Sequence, residues 1–202
     1  MDDIVLRGMA KWPNVPAVYG WLTLNRRGQW LIKGEMVGNP AVSAFIARNY
    51  EHDADGRWFF QNGPQRVFVS LDYTPLVYRA SFASDGLLAL ESHVGQKPAS
   101  LSGAWIDENG TVLIATESGV GVIHDHDLDD LMPAFADANG NALAEDALDE
   151  LLERVQHGRA SELWLKYGHS KIKVESLQAH EAPDRFGFDP CPAVPDDHPG
   201  CA

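Results

Sequence analysis

The chain reads as one pattern written twice, and that doubling limits its architecture more than any other feature. "GWLTLNRRGQWLIKG" reads as a β-hairpin: Trp21, Leu24, Trp30 and Ile32 lie in short β-prone runs, and Gly28 takes a turn position that wants positive φ. "GAWIDENGTVLIATE" repeats the design, with Gly110 in the glycine position and Leu113-Ile114 echoing Leu31-Ile32. Each hairpin leads into a helical pattern. In "VGNPAVSAFIARNY" Asn39 is a good N-cap, Pro40 suits the first helical position, and Val42, Phe45 and Ile46 share a face. In "GVIHDHDLDDLMPAF" Asp127 is the expected cap, and Leu128, Leu131, Met132 and Phe135 recur at helical spacing.

A second strand pair closes each copy. "RWFFQNGPQRVFVSL" has Gly63 between two apolar runs, and "ELWLKYGHSKIKVESL" has Gly168 between two more. Matching these glycines aligns Phe59 with Trp164, Arg66 with Lys171, Val67 with Ile172 and Val69 with Val174. Gly28 and Gly110 are 82 residues apart, whereas Gly63 and Gly168 are 105 apart, so the second copy holds an insertion. "NGNALAEDALDELLERVQHG" has about that length and reads as an amphipathic helix with Asn141 as cap and Gly158 at its end. The expected fold is α+β: two degenerate hairpin-helix-hairpin repeats with mostly antiparallel sheets and an extra helix in the second. The repeats span residues 15–95 and 96–183, packed as one unit so that each covers the other's bare sheet face. Strands "PLVYRASFA" and "LLALESHVG" join them, and residues 184–202, rich in Pro, Asp and Gly, form an irregular tail.

Within this frame, "GQWLIKGEMVGNPAVSAFIARNYEHDADGRWFFQNGPQRVFVSLDYTPLVYRA" resembles the opening half of an uncharacterised proteobacterial domain-of-unknown-function family with two structural repeats. The likeness rests on the glycine-aromatic hairpin, "GNPA" at the helix start, "ADGRWFF" entering a strand and "DYTPLV", and runs from about Trp21 to Gly95. The acidic insertion and the cysteine tail depart from that pattern, which leaves a sister family open. The resemblance implies no enzymatic activity and suggests a signalling or ligand-sensing role.

Composition narrows the function classes. An apolar fraction of 45% with six tryptophans and eight phenylalanines supports a full core. A formal charge of -13 disfavours nucleic acid and anionic lipid, and Gly119 to Glu153 holds ten acidic residues without a lysine or arginine. A basic protein partner or a cation suits that stretch better. "MDDIVLRGMAKW" lacks the apolar core of a secretory signal, and no run approaches the roughly 20 apolar residues of a membrane span, so the expected compartment is the cytoplasm. Cys191 and Cys201 lie in the tail and do not report on redox environment. No Gly-x-Ser-x-Gly elbow, P-loop or dinucleotide fingerprint is present, and no cofactor is expected.

Two sets of residues carry candidate chemistry. The first is His124, Asp125, His126 and Asp127: His-x-His on a strand presents both rings on one face, and the aspartates add oxygen ligands for a transition metal. Aspartates also stabilise a helix start by about 0.3–1 kcal/mol each, and the matching place in the first copy, "GNPAV", has no ligands, so a helix start is the favoured reading. The tail residues Cys191, Asp196, Asp197, His198 and Cys201 are a weaker metal set. The second candidate is aromatic: Trp58 and Phe59 are adjacent and point to opposite faces, so one needs cover from the partner copy or a dimer mate. A pocket between the copies, lined by Trp58 and Trp164 with Arg66 and Lys171 as polar anchors, is the sharper reading. The expected function is therefore a non-enzymatic small-ligand-binding or sensory module, with a homodimer possible. The alternative is a metal-dependent enzyme or metal-binding protein using the His124–Asp127 cluster.

Overall fold

Among the described residues, one five-residue turn recurs four times. It occurs at Asn25–Gln29, Asp53–Arg57, Asp107–Thr111 and Asp137–Asn141. In each, the first side chain accepts hydrogen bonds from the amides of the third and fifth residues. The first and fifth residues also pair through the backbone. The fourth residue is always glycine, at φ between 74° and 87°, the left-handed region that a Cβ disfavours. Asn or Asp opens the turn because its short oxygen reaches amides two and four residues on.

The computed structural model describes residues 1–12 and 15–194. It divides into two compact units, one made of Met1–Pro75 with the residues from Gly187 onward, the other of Leu76–Phe186. Unit 1 contains α1 (Asp3–Lys11), β1 (Val18–Leu24), β2 (Trp30–Ile32), β3 (Glu35–Met36), α2 (Pro40–Arg48), β4 (Tyr50–His52), β5 (Trp58–Asn62) and β6 (Gln65–Leu71). Its sheet runs β3-β2-β1-β6-β5-β4. Two antiparallel meanders meet at a parallel β1/β6 pair, which is possible because α2 carries the chain across. Asn39 caps α2 through its side chain as expected, accepting from the Ala41 amide at 2.9 Å.

Unit 2 contains β7 (Leu76–Phe82), β8 (Leu88–Ser92), β9 (Leu101–Asp107), β10 (Val112–Thr116), β11 (Gly119–Ile123), α3 (Leu128–Leu131), β12 (Phe135–Ala136), α4 (Glu145–Gln156), β13 (Trp164–Tyr167), β14 (Ser170–Leu177) and α5 (Ala182–Phe186). The order β12-β13-β14-β9-β10-β11 repeats the plan of unit 1, again with a parallel central pair, β9/β14. Registers agree as well. Leu22 faces Ile32 on one side and Val69 on the other; Ala104, 82 residues on, faces Ile114 and Val174, at offsets of 82 and 105. The inserted α4 lies between β12 and β13, where unit 1 has only the turn at Asp53.

Several expectations need correction. Strands β7 and β8 do not sit with the first copy: β7 pairs in parallel with β11, extending the second sheet to eight strands. The helix after β11 is short, because Pro133 allows only single turns before the chain extends again at Phe135. Its first turn is capped by His124, not Asp127. Asn141 closes the Asp137 turn, and Ala144 is the N-cap residue of α4. The tail is not irregular at its start: Phe188 is buried, Asp189 bridges to Arg57, and the Pro190 carbonyl accepts from the Leu71 amide. The tail metal set, with Asp196, Asp197, His198 and Cys201, lies outside the described residues.

Each unit has its own core. Unit 1 buries Leu22, Leu24, Trp30, Ile46, Phe60 and Val69; unit 2 buries Leu113, Ile114, Phe135, Leu163, Leu165 and Val174. Each such side chain contributes about 1.5–3 kcal/mol through removal from water. Among the described residues, no helix is long and apolar enough to cross a membrane.

Candidate functional site

The strand β11 delivers His124 to its end in extended conformation, with the ring buried and the next two residues exposed. His124 Nδ1 accepts the His126 amide at 3.2 Å and also lies 3.1 Å from an Asp125 carboxylate oxygen. The two imidazoles stand edge to face at 5.0 Å, and ligand atoms of His124, Asp125 and His126 lie within 4.8 Å of one another. Burial, helped by the nearby Arg79 charge, moves His124 below the ordinary histidine value, so the ring is neutral at pH 7. With Nδ1 holding the amide, the neutral ring carries its proton on Nε2. His124 must therefore release the amide before it can ligate a metal through either nitrogen.

Asp127 does not join this group. It forms a two-pronged pair with Arg79, at 2.6 and 2.7 Å, and accepts the Ala80 amide at 2.9 Å. Arg79 first, then the amide, hold its carboxyl below the usual aspartate value. Arg79 lies 48 residues away on β7, and no spacing signal in the sequence links it to Asp127.

The aromatic candidates separate into the two units. Trp58 and Phe59 are both buried, but within unit 1: Trp58 packs on Tyr50 at 4.8 Å, and Phe59 meets Phe68 at 5.8 Å. Trp58 is thus a core residue. Arg66 spreads over Phe59 at 4.6 Å, and Lys171 holds its ammonium 5.1 Å from the Trp164 ring. These are the aligned positions, so each unit carries one cation over one aromatic ring on the same strand pair. Lys171 also donates to the Ala138 carbonyl.

A cavity of about 510 Å³ lies in unit 1 between α2 and the sheet. Its walls are Trp21, Leu22, Val42, Phe45, Phe60 and Val67, with Asn62 and Gln65 as its polar residues. Phe45 leans edge-on against Phe60 at 5.5 Å, and Trp21, Ile32 and Val42 are exposed. Unit 2 has a cavity of about 380 Å³ at the matching place, where Ser100, Leu165, Tyr167, Ser170 and Ile172 stand for Val18, Phe60, Asn62, Gln65 and Val67. Sequence reasoning missed both, because the walls come from strands and, in unit 1, a helix that only the fold brings together, as with Phe45 and Phe60.

The model of the family DUF2944, described as "Protein of unknown function (DUF2946)", matches residues 1–193. The chain belongs to the DUF2944 family. Among solved structures it is similar to a DUF1285 family protein from Silicibacter pomeroyi DSS-3, with 17% identity and a TM-score of 0.54 over 85% of this chain and 87% of that one. That likeness concerns the fold alone. A second DUF1285 family protein, from Shewanella baltica OS155, is similar at 16% identity and a TM-score of 0.40, over 55% of this chain and 88% of that one. No curated protein matches.

Proposed function

We propose that this DUF2944 protein is a cytoplasmic, non-enzymatic binding module that holds a small, largely apolar ligand between α2 and the sheet of unit 1. The observation that carries the reading is the cavity itself. Its volume of about 510 Å³ falls in the range of small-molecule sites, and its walls are apolar with two amide side chains, Asn62 and Gln65, to orient a ligand. Exposed Trp21, Ile32 and Val42 around it lose contact with water when the space is filled. The test is a thermal-shift titration of the full chain with decanoate and with 2-naphthol. Val42→Trp, a change at an exposed wall residue, fills the cavity without entering the core. Stabilisation of the unmodified protein that vanishes in this variant supports the reading; equal responses in the two proteins sink it.

A second reading rests on the 4.8 Å cluster: a divalent metal held by His124, Asp125 and His126. Asp127, committed to Arg79, takes no part. Metal analysis of protein purified without a histidine tag, repeated on His124→Ala and His126→Ala, decides it. Stoichiometric metal lost in both variants favours the metal, and background levels throughout remove it.

A further inference from the structure

The other face of the unit 1 sheet holds a chemically different cavity. Residues alternate along β5, so Phe60 and Asn62 face the α2 groove while Gln61 faces the opposite side. There Gln61 and Arg66, direct cross-strand partners, line a space of about 360 Å³ with Met9, Trp12, Val15 and Pro64. Helix α1 and its C-cap residue supply the wall of Met9 and Trp12, and the helix comes close because Gly8 has no side chain: a Cβ there would lie 3.3 Å from Pro64 Cδ.

Two unmet demands converge at this cavity. Gln61 is 1% exposed, its Nε2 donates to the Gly63 carbonyl at 2.9 Å, and its Oε1 is buried without a partner. That bond fixes which end of the amide is the oxygen. A buried acceptor left unsatisfied costs about 1–3 kcal/mol, so something that can donate is favoured beside it. Arg66 forms no ion pair among the described residues; its guanidinium rests only on the face of Phe59. Face-on stacking leaves the N–H edge of the fork available, the edge that takes a carboxylate through two parallel bonds. The protein's net negative field does not attract anions, so the affinity for one must come from this local cation.

We propose that this cavity is a second binding site, distinct from the α2 groove, for a small carboxylic acid that also bears an N–H or O–H donor and an apolar body. The carboxylate pairs with Arg66, the donor satisfies Gln61 Oε1, and the body lies against Met9, Trp12 and Pro64. Three probes separate these contributions by calorimetric titration of the full chain. N-acetylphenylalanine has all three features, 3-phenylpropionate lacks the donor, and N-acetylphenylalanine amide lacks the carboxylate. The complete probe should bind at least about tenfold more tightly than either of the others, a difference of about 1.4 kcal/mol. Arg66→Gln, a change at an exposed side chain, should erase the advantage of the complete probe over the amide and leave the amide itself unchanged. Gln61→Met should reduce the complete probe to the level of 3-phenylpropionate; should that variant not fold, Arg66→Gln alone decides. Absence of binding by all three probes in the millimolar range, or equal affinities in wild type and Arg66→Gln, overturns the site. Either result leaves the α2 groove untouched, since its own test turns on Val42.

Discussion

At the start of α3 a buried carboxylate meets three donors, two from Arg79 and one from the Ala80 amide. Asp127→Ala strips the buried Ala80 amide of its acceptor, and a loss of about 2–3 kcal/mol is expected, read as a lower denaturant midpoint. Arg79→Ala should cost less, because that side chain is 62% exposed and Asp127 keeps the amide. His93 carries the residue-scale pH dependence. Burial pushes it down to about 3, while the Val77 amide donates to its Nδ1 at 3.3 Å. The unfolded chain takes up this proton below about pH 6.5 and the folded chain does not. Stability is therefore complete above that pH and falls by about 1.4 kcal/mol per pH unit between about 6.5 and 3. His93→Gln, which can still accept the Val77 amide, should reduce that slope by one proton in equilibrium unfolding measured across pH. Neither feature was legible in the sequence. Residue-type signals mark Asp127 as a helix cap, and only the tertiary arrangement brings Arg79 to it, so that His124 takes the cap instead.

At the scale of elements, two of the four Asx-Gly turns could be read in advance. Asn25 and Gly28, like Asp107 and Gly110, have a local chemistry that needs no distant partner, and so their hairpins and register follow from the sequence. The same turn predicts graded costs. Asp107 is fully buried and Asp137 only half-buried, so Asp107→Ala should lower stability by about 2 kcal/mol and Asp137→Ala by less, compared by urea unfolding. Gly110→Ala adds about 1 kcal/mol of backbone strain at φ 79°. Helix α4 was legible from its amphipathic spacing. Helix α3 was not: Leu128, Leu131 and Met132 share helical spacing, but Pro133 ends the run and Phe135 is drawn into a strand with Leu165. The α2 groove escaped notice for a related reason. Phe45 and Phe60 look like ordinary core residues until the helix is seen to leave space beside them.

Across the whole molecule, the twofold hairpin-helix-hairpin repeat was visible in the paired glycines, and the 82- and 105-residue offsets recur in the strand registers. The path of the chain was not visible. It leaves unit 1 after Pro75, builds all of unit 2, and returns at Gly187. The returning segment is structural: Phe188 is 6% exposed, and Pro190 satisfies the Leu71 amide. A chain ending at Phe186 should show faster amide hydrogen exchange in β5 and β6, equivalent to about 1–3 kcal/mol, with the smallest change in β9 and β10. Uniform loss across both sheets would contradict this division. Synthesis on the ribosome runs in one direction, so Met1–Pro75 emerge before Leu76–Phe186 yet lack their closing segment until Phe188 and Pro190 have been made. The unit made second can thus finish folding first, and the sheet made earlier must wait for the segment that follows it.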